Sequence, residues 1–372
     1  MSIEIIDITA KKQLRDFINL PYQVHRHHQR WVPPLYRDEW SYFDSHKNRS
    51  FADNDTILCV AYEDLLPVGR IMGIVNHKHN QRMNELNARF GYLECYKSQD
   101  VADALMARVE QWAHDLGMTK LVGPMGFSDQ DPEGFIVEGY EHEPTIATYY
   151  NYDYIPRFLD ARGYSKEIDY VVYLLDLTKP LPEVFERIHS RFHERAEYEF
   201  LEFSTKKQLK PYVRPILRLM SETFSHLYGF DPLTDGEIYE LGTKYLPAID
   251  PRFVKAARTR DVLVGFLIAM PNLNDGFRKA KGRLFPFGIV HFLRALRTTR
   301  QLDLLVGGVK EEFRGRGLDM WGLLAVIHSA QQAGFTLIDS HHELENNTAV
   351  RNGMERLGGK LSKRFRIYQK AL

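Results

Sequence analysis

Two short stretches of this chain combine residue types that do chemistry at spacings that bring them together. The first is Leu304-Leu305-Val306-Gly307-Gly308-Val309-Lys310-Glu311-Glu312-Phe313-Arg314-Gly315-Arg316-Gly317-Leu318-Asp319. It reads as a strand ending near Val309, a glycine-containing turn, and a long apolar helix from Leu318. Glycines at 315 and 317 allow successive backbone N–H groups to point into one concave nest. The positive end of the helix dipole adds to that nest, so a phosphate or pyrophosphate is the ligand it suits. Arg314 and Arg316 bring cations to its rim. The plain alternative is a tight basic turn with no ligand. GxxxxGK[ST] is missing, and Met320 stands where a dinucleotide fingerprint needs its third glycine.

The second stretch, Asp339-Ser340-His341-His342-Glu343-Leu344-Glu345, concentrates titratable groups at the end of a predicted strand. Strand alternation puts His341, Glu343 and Glu345 on one face and His342 on the other. His341 or Glu343 is then the candidate general base, a polar loop over the site being the alternative. Within this stretch HxxxH and HExxH are missing, so no metal site is expected of it.

The elements that must carry these stretches occur twice. A helix from about Val101 to Leu116 stops at Gly117, and the strand Lys120–Gly123 follows. A short helix near Tyr154–Ala161, Gly163 and a strand Tyr170–Leu175 come next. Further on, a helix from Leu318 to about Ala333 stops at Gly334 and a strand Phe335–Ile338 follows. A helix from about Thr348 to Leu357, then Gly358-Gly359 and a last strand Arg364–Gln369 complete the second set. The first copy carries an extra segment, Gly126 to Tyr150. Pro180 and Pro182 break the chain after the strand at 170–175, which places a boundary near residue 178 and domains at 1–177 and 178–372. The fold class expected is α+β with a mixed sheet in each copy.

Motif and repeat together resemble the GCN5-related N-acetyltransferase (GNAT) superfamily. Val309 to Leu318 is similar to its motif A, R/Q-x-x-G-x-G/A. Glu345 to Val350, Glu355-Arg356-Leu357-Gly358-Gly359 and the strand Arg364–Tyr368 resemble its closing elements. The whole chain thus looks like a tandem GNAT protein with a degenerate first copy. The resemblance implies acetyl-CoA or another acyl-CoA as donor, its pyrophosphate on the backbone of Arg314, Gly315, Arg316, Gly317, Leu318 and Asp319. The Val309 N–H would polarise the thioester carbonyl. Asn346 or Asn347 would hold the pantetheine arm or cap the next helix. The implied reaction is N-acyl transfer to the amine of a small metabolite or amino acid, with the first copy on the acceptor side. Two departures stand out: Asp319 replaces the last small residue of motif A, and Met354 stands where many members place a tyrosine acid. In the first copy Glu94 to Asp100 replaces the glycine turn, so no CoA is expected there. A non-catalytic acyl-CoA-binding protein, or a transferase using aminoacyl-tRNA or an acyl carrier, are the alternatives on the same fold.

Composition sets the outer bounds. The 372 residues carry 49 Lys+Arg and 49 Asp+Glu, which argues against a surface that binds nucleic acid throughout. The balance is a cancellation. Residues 121–160 hold eight acidic side chains against one basic, while 278–316 hold ten basic against three acidic. Two cysteines make no disulfide framework, no signal peptide is recognisable, and Val262–Met270 is about half the length a bilayer needs. These readings predict a cytoplasmic protein with no membrane partner, whose own second copy is an admissible one. Of the remaining clusters, His25-x-His27-His28 reads as a solvated helix face rather than a ligand set. Cys95 reads as a buried thiol. Asp131 to Phe135 with Tyr149 to Tyr154 suits either a cationic amine or simple packing. Gly282 to Gly288 reads as a turn into an amphipathic helix, Val290–Arg297.

Overall fold

The computed structural model describes residues 2–146, 148–192, 194–225, 227–246 and 249–372. The chain forms two compact units, one of residues 1–170, 273–295 and 363–372, the other of 171–272 and 296–362.

In the first unit β1 (Ile3–Asp7), β2 (Asn54–Glu63), β3 (Leu66–Asn76) and β4 (Asn87–Cys95) form an antiparallel meander. β5 (Lys120–Gly123) then joins β4 in parallel, Asn87 opposite Lys120, after the helix Gln99–Asp115 has crossed over. β6 (Phe135–Glu138) and the start of β7 (Ser165–Asp176) follow. Alternation along the strands separates two cores. Ile57, Cys59 and Ala61 face the crossover helix, which buries Val101, Leu105, Met106 and Val109 against them. Val60, Tyr62, Met72 and Ile74 point the other way, to Phe17 and Ile18 of the helix Lys11–Val24.

The second unit repeats the plan with β8 (Glu199–Glu202), β9 (Val254–Thr259), β10 (Val262–Pro271), β11 (Gln301–Val309) and β12 (Leu337–Asp339). β11 and β12 run parallel, Gln301 opposite Leu337, on either side of the crossover helix Leu318–Gln332. That helix buries Leu324, Ile327 and Ala330 with Ala269, Leu302 and Leu304, while Leu209, Ile216 and Leu219 of the helix Lys206–Phe224 cover the opposite sheet face. β13 (Glu343–Leu344) and β14 (Lys360–Ala371) end the chain's strands.

The helices and stops expected in both copies are present, and Gly117, Gly163, Gly334 and Gly358 all have positive φ. Two matching hairpins add to them. The β2–β3 turn sets Asp64 and Leu65 at φ 47° and 65°, and the β9–β10 turn gives Arg260 and Asp261 the same pair of angles. Each is a two-residue left-handed turn of the kind that suits twisted hairpins. The closing strands are exchanged. β7 ends the first copy by sequence, yet its Asp176 and Leu175 pair with Leu337 and Ile338 in the second unit. β14 ends the second copy, yet Tyr368 and Gln369 pair with Gly123 and Val122 in the first.

Candidate functional site

β11 ends in an eight-residue turn, Lys310 to Gly317, before the helix begins at Leu318. A short 3-10 turn at Glu311–Phe313 uses the N–H groups of Phe313 and Arg314, which bond back to Lys310 and Glu311. Gly315 and Gly317 then take φ of 71° and 82°, a conformation that a side chain would strain. At 317 a Cβ would also lie 2.8 Å from the Phe192 ring. Gly317 is the helix N-cap and has no side chain to cap with. Within the described residues, the N–H groups from Gly315 to Met320 donate to no protein acceptor. A helix start left this way is an anion site in waiting.

Cations edge the turn. Arg195 stacks over Phe192 at 4.9 Å and donates from Nη1 to the Arg316 carbonyl at 2.9 Å. Arg316 lies over Phe313, Arg314 donates from Nε to the Val309 carbonyl, and Lys310 pairs with Glu222 at 3.0 Å. Asp319 is exposed on the first helical turn, and its carboxylate accepts no hydrogen bond from the turn among the described residues. Asp319 therefore does not cap its own helix.

The strand feeding this turn presents its own donors. Lys310 N–H bonds to Val264 O, and the register sets Gly308 opposite Phe266 and Val309 opposite Gly265. In an antiparallel ladder, bonded and non-bonded pairs alternate. Gly307 and Val309 therefore aim their N–H groups away from β10, towards the edge from which β12 has already parted at Asp339. The segment after β12 stays with β7: the Ser340 N–H bonds to the Tyr173 carbonyl, and the next strand pairs with β7.

That segment is not one strand. Asp339 is fully buried and accepts the His341 N–H at 2.9 Å, while His341 has φ 60°. This left-handed break turns the chain before β13 starts at Glu343, so the alternation expected to align His341, Glu343 and Glu345 does not hold. Glu343 keeps partial exposure, but the protein atoms around it push its carboxyl up to about 8 by desolvation. Such a value suits a proton acceptor working near neutral pH. Asn347 caps the helix Thr348–Arg356, its Oδ1 accepting the Val350 N–H, whereas Asn346 is exposed. Met354 is buried in the hydrophobic core. The hydroxyl that sequence reasoning missed is Tyr173 Oη, which donates to Glu355 Oε1 at 2.7 Å and accepts from Arg351 Nε at 3.1 Å. It was hidden because it lies on the exchanged strand β7.

The matching place in the first unit is filled. Tyr92 N–H donates to Tyr149 Oη at 2.8 Å, and Tyr154 Oη donates to the Cys95 carbonyl at 2.9 Å. His25 is buried, ring-stacked on Trp31 and Tyr152, and lies past the end of the helix Lys11–Val24. The reading of these histidines as a solvated helix face is thus corrected at His25, while His27 is exposed. Burial, with the nearby Asp129 carboxylate, raises the Glu133 carboxyl to about 8. Among the described residues no group of His, Cys, Asp and Glu could hold a metal ion, and no helix is long and apolar enough to cross a membrane.

No protein-family model matches the sequence. The chain is 26% identical over 378 residues to a protein of Caulobacter vibrioides called bacterial ceramide synthase, covering 100% of this chain and 98% of that one. It is 23% identical over 380 residues to Protein YghO of Escherichia coli, covering 97% and 94%. Among solved structures, a tandem GNAT protein from the clavulanic acid biosynthesis pathway superposes with a TM-score of 0.57 at 13% identity, covering 100% of this chain and 98% of that one. The chain has the tandem GNAT fold. Within this fold, the turn Lys310–Gly317 is the segment that resembles motif A. The GNAT-like first copy has only Tyr96 to Ser98 in its place.

Proposed function

We propose that the protein is an N-acyltransferase that takes an acyl group from acyl-CoA and passes it to an amine. One observation carries the reading: an uncapped helix N-terminus with unengaged N–H groups from Gly315 to Met320, ringed by Arg195, Arg314 and Arg316. This is where the donor's pyrophosphate would be held. Asp319 lowers the fit at one edge, and the positively charged rim offsets it. The thioester supplies an activated acyl carbon. The Val309 N–H, directed to the open edge of β11, would stabilise negative charge on its carbonyl oxygen, a contribution of about 3 kcal/mol for a well-placed donor. Glu343 would take the proton that the attacking nitrogen loses as the C–N bond forms. The C–S bond then breaks, and the CoA thiolate gains a proton from water, since Met354 supplies none.

The name of the Caulobacter relative, whose length this chain matches, favours an amine of a long-chain base as acceptor over a small metabolite or amino acid. Binding of acyl-CoA by calorimetry tests the donor site. The wild type should saturate, and Gly317→Trp should bind about 100-fold more weakly, equivalent to about 2.8 kcal/mol. Absence of any interaction with the wild type would refute the reading. Met354 in the core favours a second reading, a non-catalytic acyl-CoA carrier. That reading requires tight binding without thiol release against any long-chain amine.

A further inference from the structure

The stretch Phe277 to Arg297 presents an outer face that a soluble domain does not need. Phe285 and Phe287 are each 76% exposed at the tip of a turn, followed on the helix Gly288–Thr298 by Val290 at 61%, Leu293 at 53% and Ile289. At 100° per residue, Ile289, Leu293, Arg297, Val290 and Arg294 share one continuous face of this helix. That face points to solvent, while Phe292 packs inward against Phe277, with ring centroids 4.7 Å apart. A surface helix normally puts its polar side outward. Here the apolar side is outside, with Arg294 at its edge and Arg297 near the end of the helix between Leu293 and Val290.

The turn that carries the two phenylalanines is fixed at its base. The Gly282 carbonyl accepts the Tyr36 N–H at 2.8 Å, and a Cβ at 282 would overlap the Pro34 carbonyl at 2.2 Å. Ile289 N–H closes the turn on the Leu284 carbonyl at 2.7 Å. The rings are therefore held outward by a well-bonded turn. Charge is equally one-sided: residues 276–302 contain seven Lys and Arg and no Asp or Glu.

We propose that this turn and helix dock the protein on an anionic lipid surface, with Phe285 and Phe287 entering the acyl boundary and the flanking cations meeting the headgroups. An apolar face of this width with cations at its edge is what interfacial helices use. Long basic side chains lie along such a face and keep their charge at headgroup level. A second copy of this chain is a poor occupant, because residues 276–302 offer no carboxylate to pair the arginines that a self-complementary contact would bury. The proposal departs from the expectation of no membrane partner, which rested on the lack of a spanning segment; this face needs none. The proposal does not depend on the acyl-transfer reading.

Vesicle flotation tests it, with phosphatidylcholine alone and with phosphatidylcholine containing phosphatidylglycerol. The wild type should float with the anionic vesicles and remain behind with the neutral ones. Phe285→Ser combined with Phe287→Ser should reduce flotation at least about tenfold, since each ring loses burial of the order of one such factor or more. Arg294→Glu with Arg297→Glu should abolish the preference for anionic lipid. Phe285→Trp should show blue-shifted emission on adding anionic vesicles. All these sites are exposed, and circular dichroism with thermal unfolding of each variant reports an intact fold independently. A wild type that floats with neither vesicle, or a serine variant that floats as well as the wild type, would overturn the proposal. So would a stable dimer that the serine substitutions dissolve.

Discussion

The two copies differ most where their fourth strand hands over to the crossover helix. In the first, three residues make the connection, and Ser98 caps the helix by accepting the Val101 N–H at 3.3 Å. In the second, eight residues make it, and Gly317 leaves the helix start uncapped. The same contrast holds along the strand edge. Tyr149 satisfies the Tyr92 N–H in the first copy, whereas Gly307 and Val309 direct theirs to an edge with no strand beside it. One copy has closed its backbone donors with its own side chains, and the other has left them for something else. Gly307, Gly315, Arg316 and Asp319 are exposed, so water can meet the N–H groups there until an anion takes its place. The difference lies in side chains and five extra residues, and the order of elements does not change.

The largest effect that can break this contrast falls on Glu343. If it is the proton acceptor of the open copy, Glu343→Gln should lower the turnover number about 100- to 10,000-fold, the range for general-base loss. The pH profile sharpens the test. A carboxyl raised to about 8 is mostly protonated at pH 7, so kcat/KM should climb as pH rises through 8 and level off above it. In the glutamine variant that limb should vanish. A variant that keeps the limb would assign it to another group. The Gly317→Trp binding experiment comes next in size, and it should leave a protein whose first copy is untouched.

Much of this contrast was legible in the sequence. Glycines at 117, 163, 334 and 358 ended helices in both copies because their left-handed angles are ones other residues avoid. The Gly315-x-Gly317 pair was legible for the same reason. The hairpins at 64–65 and 260–261 were not, because Asp-Leu and Arg-Asp adopt that turn without the Asn-Gly signature. His25 could not be placed, since its burial depends on Trp31 and on Tyr152, more than a hundred residues away. Nor could periodicity reveal that β7 and β14 change partners, because alternation along a strand says which face a residue takes and not which strand lies beside it. The break at His341 shows the same limit, because strand alternation assumes an extended backbone and a buried Asp339 holding the next turn removes it.

Two smaller substitutions probe the closed copy. Tyr149→Phe removes the acceptor of a buried N–H and should cost about 1–3 kcal/mol, read as a fall in unfolding free energy in urea. The ring itself still fills its place against Phe135, so packing should survive. An unchanged free energy would mean that water reaches Tyr92 and that this edge is as open as its counterpart.

The smallest expected effect is at the cap. Ser98→Ala leaves the Val101 N–H without its acceptor and should cost about 1 kcal/mol, the usual worth of a serine N-cap. The reciprocal change, Gly317→Ser, would supply a side chain at the second helix's N-cap, but at a φ of 82° and against Phe192. It should destabilise rather than stabilise, because strain of about 1–2 kcal/mol at a left-handed residue outweighs what a cap returns. The pair of measurements therefore separates two explanations of the bare helix start. If Gly317→Ser stabilises the fold, the second copy merely lacks a cap. If it destabilises the fold and weakens acyl-CoA binding together, the turn is shaped to keep those N–H groups open for the donor.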